Sequence, residues 1–323
     1  MGRLNIIKTI DLKFTARFIL LIIWKQRGDT MIKKALKLLL VIGGILYVVA
    51  ITVRNTYASS SRVETVNYQT QYRGKDYRKS ALVYLPPNYS SSHRYNVIYL
   101  VHGSTETPRD FFRDGNFQRS PDQLISSGKL KPSIVVFPTY YPNRSFVTSD
   151  YYRDNRLNRA FAQNELVQDL VPAVEGRYHT YANGTSTQAL QASRNHRAFG
   201  GFSMGAITTW YAFQYQLPYF RTFIPVAGDS WTVQDDGGST APTRTARRLA
   251  QTVQDHSQLD FKILAGVGRN DGTSGSMEPQ IQAMHCLPEF NNRNLQYYQV
   301  PGGTHSPQTT RRAFSHYASQ IFN

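Results

Sequence analysis

Residues 196–210 read His-Arg-Ala-Phe-Gly-Gly-Phe-Ser-Met-Gly-Ala-Ile-Thr-Thr-Trp, and this stretch says most about the chain. At its centre, glycines stand two residues before and two residues after Ser203, at Gly201 and Gly205. A short apolar run leads into this G-x-S-x-G pattern, and a stretch of helical character leads out of it. Glycine at both positions permits a turn too tight for larger side chains. The pattern therefore predicts a strand–turn–helix unit that raises the Ser203 hydroxyl above a strand end as a nucleophile.

Apolar runs of strand length alternate with helical stretches along most of the chain. We predict strands over residues 81–85, 97–101, 134–137, 198–202, 222–226, 261–267 and 295–300, and helices over 161–175, 205–215, 243–253, 277–286 and 309–321. Such alternation favours a mostly parallel, doubly wound sheet with helices on both faces. With the serine turn, it predicts an α/β-hydrolase fold in one catalytic domain, residues 67–323. We interpret 59–66 as a linker, and 140–158 and 181–195 as surface loops.

An activated serine needs a histidine base, and the histidine needs an orienting acid. Hydrolases of this fold supply them in the chain order Ser, acid, His. Asp271 follows the predicted strand 261–267, and His305 follows the predicted strand 295–300. We therefore expect Ser203, Asp271 and His305 to be catalytic. Asp229 also follows a strand and is the alternative acid.

The negative charge that develops during ester cleavage needs backbone N–H donors. The residue after the nucleophile, Met204, should supply one donor. The other should come from the His102-Gly103-Ser104 loop after strand 97–101, from Ser104 or from Gly103. We expect His102 to shape this loop. The sequence contains no phosphate-binding loop, dinucleotide fingerprint or metal-binding cluster, so we expect no cofactor and no metal.

Aromatic and acidic residues near these strand ends are candidates for substrate binding. Trp231 and Asp229 follow the strand 222–226, whereas Tyr140 and Tyr141 follow the strand 134–137. Aromatic rings bury large flat areas against phenolic groups and sugars. Trp231, Tyr140 and Tyr141 are therefore candidates for an aromatic wall with Asp229 beside it, and the alternative is that they are ordinary core or rim aromatics.

The chain carries a formal net charge of +16, and its first 60 residues hold ten Lys/Arg against two Asp/Glu. Half of the net charge therefore falls in the N-terminal segment. The other arginines are spread out, which favours an ordinary solvated surface over a site for an anionic wall polymer or acidic polysaccharide. Nothing in the pattern is typical of a nucleic-acid-binding module, so we expect no nucleic-acid partner. Cys286 is the only cysteine, which excludes an intrachain disulfide.

The segment from Met31 begins with lysines, continues with the uncharged run 38–53, and ends in Thr56-Tyr57-Ala58. This order predicts that residues 31–58 are a signal peptide or an N-terminal membrane anchor. Membrane contact would then involve only residues 35–53, if the segment stays uncleaved, and residues 59–323 would lie outside the cell. We expect residues 1–30 to be a disordered extension or a misassigned start, with translation beginning at Met31.

The stretch 196–210, together with Gly228-Asp229-Ser230-Trp231 and Pro301-Gly302-Gly303-Thr304-His305, resembles the esterase D-like α/β-hydrolases. Within them, it is most similar to the carbohydrate esterase branch that includes xylanase-associated feruloyl esterases. The resemblance covers roughly residues 65–323. It implies Ser203 as nucleophile, Asp271 as acid, His305 as base, and an oxyanion hole from Met204 and the Ser104 region. This chain departs from the family where glycines often follow the loop histidine, because here the loop reads Gly103-Ser104-Thr105.

These observations predict an exported serine esterase that cleaves carboxylic esters, such as feruloyl or acetyl esters of polysaccharides. Its partner would be a small-molecule or polysaccharide ester. An acyltransferase of the same fold, acting on sugar or lipid hydroxyls of the cell envelope, would use the same three residues. A catalytically silent surface-binding protein is the third alternative, but the three filled catalytic positions argue against it.

Overall fold

The computed structural model describes residue 34, residues 36–44 and residues 59–323 of the chain. These residues fall into two compact units that divide between residues 58 and 59. In the first unit, residues 36–44 are helical and mostly exposed. The rest of the predicted signal or anchor, and all of residues 1–30, lie outside the described residues. Across the described part of the chain, no helix combines the length and the apolar character needed to cross a membrane.

The second unit is built on a mixed sheet of eight strands. In chain order these are β1 (Arg62–Tyr72), β2 (Lys75–Leu85), β3 (Asn96–Val101), β4 (Ser133–Phe137), β5 (Arg197–Phe202), β6 (Thr222–Val226), β7 (Lys262–Gly268) and β8 (Leu295–Val300). Their spatial order is β1-β2-β4-β3-β5-β6-β7-β8. The hairpin β1–β2 joins β4 in antiparallel fashion, whereas β3 to β8 run parallel to one another. This is the predicted α/β-hydrolase architecture, with a mostly parallel sheet flanked by helices.

Helices flank the sheet. They are α1 (Pro108–Asp114), α2 (Arg119–Ser126), α3 (Asn155–Ala160), α4 (Val171–Glu175), α5 (Thr187–Ala192), α6 (Met204–Gln216), α7 (Gly237–Thr240), α8 (Pro242–Asp255), α9 (Ser274–His285) and α10 (Pro307–Tyr317), with a π-helical stretch at Phe161–Leu170. All residues of β3, β4, β5 and β6 are buried, as expected for parallel strands covered on both faces. Helix α6, which follows the nucleophile turn, is buried over nearly its whole length.

The predicted linker 59–66 is wrong over residues 62–66, which form the start of β1. Strand β1 buries alternate side chains, including Val66, Tyr68 and Thr70, and it pairs with β2 along its whole length. A strand that buries one face needs only every second residue to be apolar. Because the exposed face of β1 is polar, no continuous apolar run in the sequence indicated this strand.

The two predicted loops also contain short helical turns. Residues 140–158 hold the 3₁₀ turns Arg144–Phe146 and Tyr151–Asp154 and the start of α3, and residues 181–195 hold α5. Such short elements depend on side-chain caps rather than on an apolar stripe. Asp150 caps the turn Tyr151–Asp154, for example, by accepting a hydrogen bond from Tyr152 N–H.

Candidate active site

The serine turn has the strained geometry that its sequence predicts. Ser203 has φ 55° and ψ −118°, outside the regions that L-residues ordinarily adopt. A Cβ at Gly201 would lie 2.5 Å from the Gly205 carbonyl oxygen, and a Cβ at Gly205 would lie 2.2 Å from the Val101 carbonyl oxygen. No larger residue fits at either position without moving the backbone. The two glycines thus allow the turn that lifts Ser203 above β5.

The structure brings Ser203, His305 and Asp271 together in one hydrogen-bonded chain. His305 Nε2 lies 2.9 Å from Ser203 Oγ, and His305 Nδ1 lies 3.1 and 3.0 Å from the two carboxylate oxygens of Asp271. Each side chain comes from a loop at the carboxyl end of a different parallel strand, after β5, β8 and β7. This arrangement allows His305 to accept the Ser203 proton while Asp271 holds the ring in place.

Asp271 is placed to remain a carboxylate. Its side chain is fully buried, and it also accepts hydrogen bonds from the N–H (2.9 Å) and the hydroxyl (2.8 Å) of Thr273. Burial acts to raise the pKa of Asp271, but the hydrogen bonds from His305 and Thr273 outweigh it and hold that pKa below its ordinary value. The alternative acid Asp229 instead accepts hydrogen bonds from Gly238 N–H (2.6 Å) and Trp231 Nε1 (3.2 Å).

Two backbone N–H groups are placed to stabilise an oxyanion. Met204 is the first residue of α6, so its N–H has no partner within the helix. In the facing loop, Gly103 N–H donates to Glu106 (2.8 Å) and Thr105 N–H donates to the Tyr141 hydroxyl (3.0 Å). Ser104 N–H, between them, has no acceptor among residues 59–323. The geometry therefore favours Ser104 over Gly103 as the second donor.

His102 anchors this loop from the interior, in line with the shaping role that we expect for it. Its Nδ1 lies 2.6 Å from the Gly103 carbonyl oxygen, and its Nε2 lies 2.8 Å from the Thr139 hydroxyl. The ring is completely buried, and this burial lowers the pKa of His102 to about 4. The imidazole is therefore neutral at neutral pH. Gly103 itself passes so close to the nucleophile that a Cβ there would lie 3.2 Å from Ser203 Cβ.

A cavity of about 690 Å³ opens beside the three catalytic candidates. Asp229 and Trp231 line it, as does Tyr151, which sequence analysis did not single out. The Trp231 ring stacks on Tyr152, with centroids 5.4 Å apart, and Tyr152 stacks on Tyr151, with centroids 4.5 Å apart. Burial raises the pKa of Asp229 against the hydrogen bonds that it accepts. The cavity thus combines an aromatic side with a buried carboxyl group.

The prediction that Tyr140 and Tyr141 contribute to this wall is wrong. Both tyrosines are 1% exposed, neither lines the cavity, and both hydroxyls donate to Asp154. Their rings pack against His102 beneath the oxyanion loop. Tyr151 takes the wall position instead, with Tyr152 stacked on it, because the turn after residue 150 brings the chain back to the strand ends. The one available signal was the abundance of tyrosine within residues 140–158.

Comparisons with known proteins match the chain to esterases and to xylanase-associated modules. The family model described as "Putative esterase" matches residues 76–320. Endo-1,4-beta-xylanase Y of Acetivibrio thermocellus is 35% identical over 243 residues, which are 72% of this chain and 21% of that protein. The chain therefore spans about a fifth of the length of this curated relative.

Solved structures show the same relationship. A mutant of the feruloyl esterase module from Clostridium thermocellum, in complex with sinapinate, is 33% identical with a TM-score of 0.68, and the match covers 82% of this chain and 89% of that one. A ferulic acid esterase from Anaeromyces mucronatus, in complex with ferulic acid, shares the fold at 20% identity and a TM-score of 0.61, over 81% of this chain and 91% of that one. The match to the feruloyl esterase module supports the prediction of a serine-type ester hydrolase, and the match at 20% identity shows the shared fold.

Proposed function

This chain belongs to the Esterase family, and on that premise we propose that it hydrolyses carboxylic esters through Ser203, His305 and Asp271. The observation that carries the proposal is the continuous hydrogen-bonded chain from Ser203 Oγ through His305 to Asp271. Ser203 attacks the ester carbonyl while His305 Nε2 takes its proton. His305 then returns the proton to the leaving alcohol, and water releases the acyl group from Ser203 in a second, equivalent step. Met204 N–H and Ser104 N–H stabilise the oxyanion in both steps.

The acyl group that fits the cavity best is a phenolic one, such as a ferulate linked to a polysaccharide. Trp231 and Tyr151 offer flat surfaces to an aromatic ring, and Asp229 offers a carboxyl group to a phenolic hydroxyl. The related module in complex with sinapinate and the ferulic acid esterase in complex with ferulic acid support this assignment. The acyl-binding role of these three residues in this chain is part of the proposal.

Hydrolysis is favoured over transfer to another hydroxyl because the base is open to water. The His305 side chain is 41% exposed, so a water molecule can reach the acyl-enzyme beside it. An acyltransferase would need to exclude that water in favour of its acceptor. Product analysis with added xylo-oligosaccharide separates the two reactions, because only transfer gives an acylated acceptor.

We also propose that the protein acts outside the cell. The support is the order of lysines, uncharged residues and small residues over 31–58, together with a polysaccharide substrate that lies outside the cell. Cell fractionation tests this proposal. Recovery of the protein from the membrane or the medium supports it, and recovery from the cytosol alone contradicts it.

The substrate assignment is tested by comparing methyl ferulate with 4-nitrophenyl acetate. For methyl ferulate, Trp231→Leu should raise KM about tenfold or more, because the ferulate ring loses the indole surface on which it stacks. Turnover of 4-nitrophenyl acetate, whose acyl group is small, should stay within about threefold of wild type. Tyr181→Leu is the matched control, because Tyr181 stacks on His196 at the opposite ends of the strands. Equal effects of Trp231→Leu on both substrates would contradict the phenolic assignment.

A further inference from the structure

Asp154 is a buried carboxylate that the reaction described above does not use. It is 0% exposed, and its Oδ2 accepts hydrogen bonds from Tyr141 OH (2.6 Å), Ser104 Oγ (2.9 Å) and Tyr140 OH (3.0 Å). Within residues 59–323 its partners are therefore all hydroxyl groups, and its Oδ1 has none. Burying a carboxylate without a cation is strongly unfavourable unless other groups compensate. The position of those hydroxyl groups suggests what the carboxylate does.

Two of the three hydroxyl groups connect Asp154 to the oxyanion loop, residues 102–105. Ser104 is the loop residue whose N–H is free for the substrate, and its side chain donates to Asp154. The Tyr141 hydroxyl donates to Asp154 and accepts the N–H of Thr105, the next loop residue. Asp154 thus holds the loop at Ser104 directly and at Thr105 through Tyr141.

The loop needs such support because its backbone is strained. Thr105 has φ +64°, in the left-handed region that a β-branched residue rarely adopts. A conformation of this kind is energetically unfavourable and persists only where its surroundings determine it. The Thr105 carbonyl oxygen also accepts a hydrogen bond from Arg144 (3.0 Å). Without these contacts the peptide is free to relax, and Ser104 N–H would turn away from the oxyanion position.

We propose that Asp154 is a positioning residue that fixes Ser104 N–H as an oxyanion donor, through the Ser104 hydroxyl and through Tyr141. The proposal rests on Ser203 acting as the nucleophile. It gives Ser104 two functions in one residue, with its backbone facing the substrate and its hydroxyl fastened to Asp154. It also explains the burial of Tyr141, whose hydroxyl links the carboxylate to the Thr105 N–H.

The test uses the full chain with Ser104→Ala, Asp154→Asn and Tyr141→Phe, each of which breaks part of this support. Tyr140→Phe is the matched control, because the Tyr140 hydroxyl contacts Asp154 (3.0 Å) and the Tyr141 hydroxyl (3.2 Å) but makes no hydrogen bond to the loop residues 103–105. For each protein we would measure kcat and KM for 4-nitrophenyl acetate, and the rate at which a fluorophosphonate labels Ser203. Labelling also places an oxygen in the oxyanion hole but needs no particular ester. Active-site titration restricts both readouts to folded enzyme.

We expect Ser104→Ala, Asp154→Asn and Tyr141→Phe to lower kcat and the labelling rate about 10- to 100-fold, with KM within about threefold of wild type. Tyr140→Phe should stay within about threefold in every readout. Because Ser104 and Asp154 act as one unit, the double variant should lose no more than the more affected single variant. A purely structural role would lower the melting temperature and leave kcat per titrated site unchanged.

Rates for Ser104→Ala and Tyr141→Phe within twofold of wild type would overturn the proposal, even if Asp154→Asn fails to fold. Equal losses in Tyr140→Phe and Tyr141→Phe would do the same. A wild type that is labelled at Ser203 but hydrolyses no ester would contradict the proposed function alone, and the labelling rates would still decide the role of Asp154. A wild type that is not labelled would overturn both proposals.

Discussion

Replacing Asp271 by asparagine should abolish most activity while leaving the shape of the site intact. Both Thr273 donors bind the same carboxylate oxygen, Oδ1. In Asp271→Asn the amide oxygen must take that position to keep these two hydrogen bonds, so the NH₂ group faces His305 Nδ1. Nδ1 must then be unprotonated, which places the ring proton on Nε2. A histidine in that tautomer cannot accept the Ser203 proton.

The loss should therefore be that of a wrong tautomer, about 10⁴-fold in kcat, or about 5.4 kcal/mol in transition-state stabilisation. The assay is steady-state hydrolysis of 4-nitrophenyl acetate at pH 7, with active sites counted by fluorophosphonate labelling at long times. Asp229→Asn is the matched control, since it makes the same change in a carboxyl group of the same cavity. We expect its kcat to stay within about tenfold of wild type. If Asp271→Asn kept more than a tenth of wild-type kcat, or Asp229→Asn lost as much, Asp271 would not be the orienting acid.

Three further predictions concern the scaffold around the site. Gly205→Ala should yield misfolded or inactive protein, because the new Cβ would lie 2.2 Å from a backbone oxygen of β3. The control Gly275→Ala, in open space near the start of α9, should leave activity and melting temperature close to wild type. Equal behaviour of the two variants would contradict the steric reasoning. Glu175→Gln should lower the free energy of unfolding, measured by urea titration, by about 3–5 kcal/mol, because it leaves the buried Arg197 guanidinium without a counter-charge. In the wild type, Arg197 Nε lies 2.6 Å from a Glu175 carboxylate oxygen. A loss below about 1 kcal/mol would refute this role of the ion pair. Burial lowers the pKa of His102 from its ordinary 6.5 to about 4, so the unfolded chain binds more protons between those pH values. The free energy of unfolding should therefore fall by up to about 1.4 kcal/mol per pH unit on acidification from pH 6.5 to pH 4. A His102→Gln variant should lack this part of the slope, and identical slopes would show that burial does not suppress protonation.

The sequence predicted the parts of the site that depend on chain order and strand ends. The G-x-S-x-G spacing located Ser203, and the rule that the acid precedes the histidine located Asp271 and His305. Parallel strands end at one edge of a sheet, so residues far apart in sequence had to meet there. The structure brings the three side chains together as expected.

The sequence could not predict which way the side chains in the 140–158 segment point. Tyr140 and Tyr151 both belong to this tyrosine-rich segment, but Tyr140 is buried under the oxyanion loop and Tyr151 lines the cavity. The difference arises from the turn Tyr151–Asp154, which is set by a local cap and by the burial of Asp154. Strand β1 was missed for a related reason, because only one of its faces is apolar. Tertiary contacts, rather than local pattern, decided each of these positions.

Hydrolysis of methyl ferulate by the wild-type protein and by Ser203→Ala, with released ferulate measured by chromatography, tests most directly whether Ser203 is the nucleophile of an ester hydrolase. We expect multiple turnovers by the wild type, at a rate at least about 10⁴-fold higher than that of the variant. We also expect a covalent fluorophosphonate adduct on Ser203 in the wild type alone. Equal release of ferulate by both proteins would show that Ser203 is not the nucleophile and would contradict the proposed ester hydrolysis through this residue.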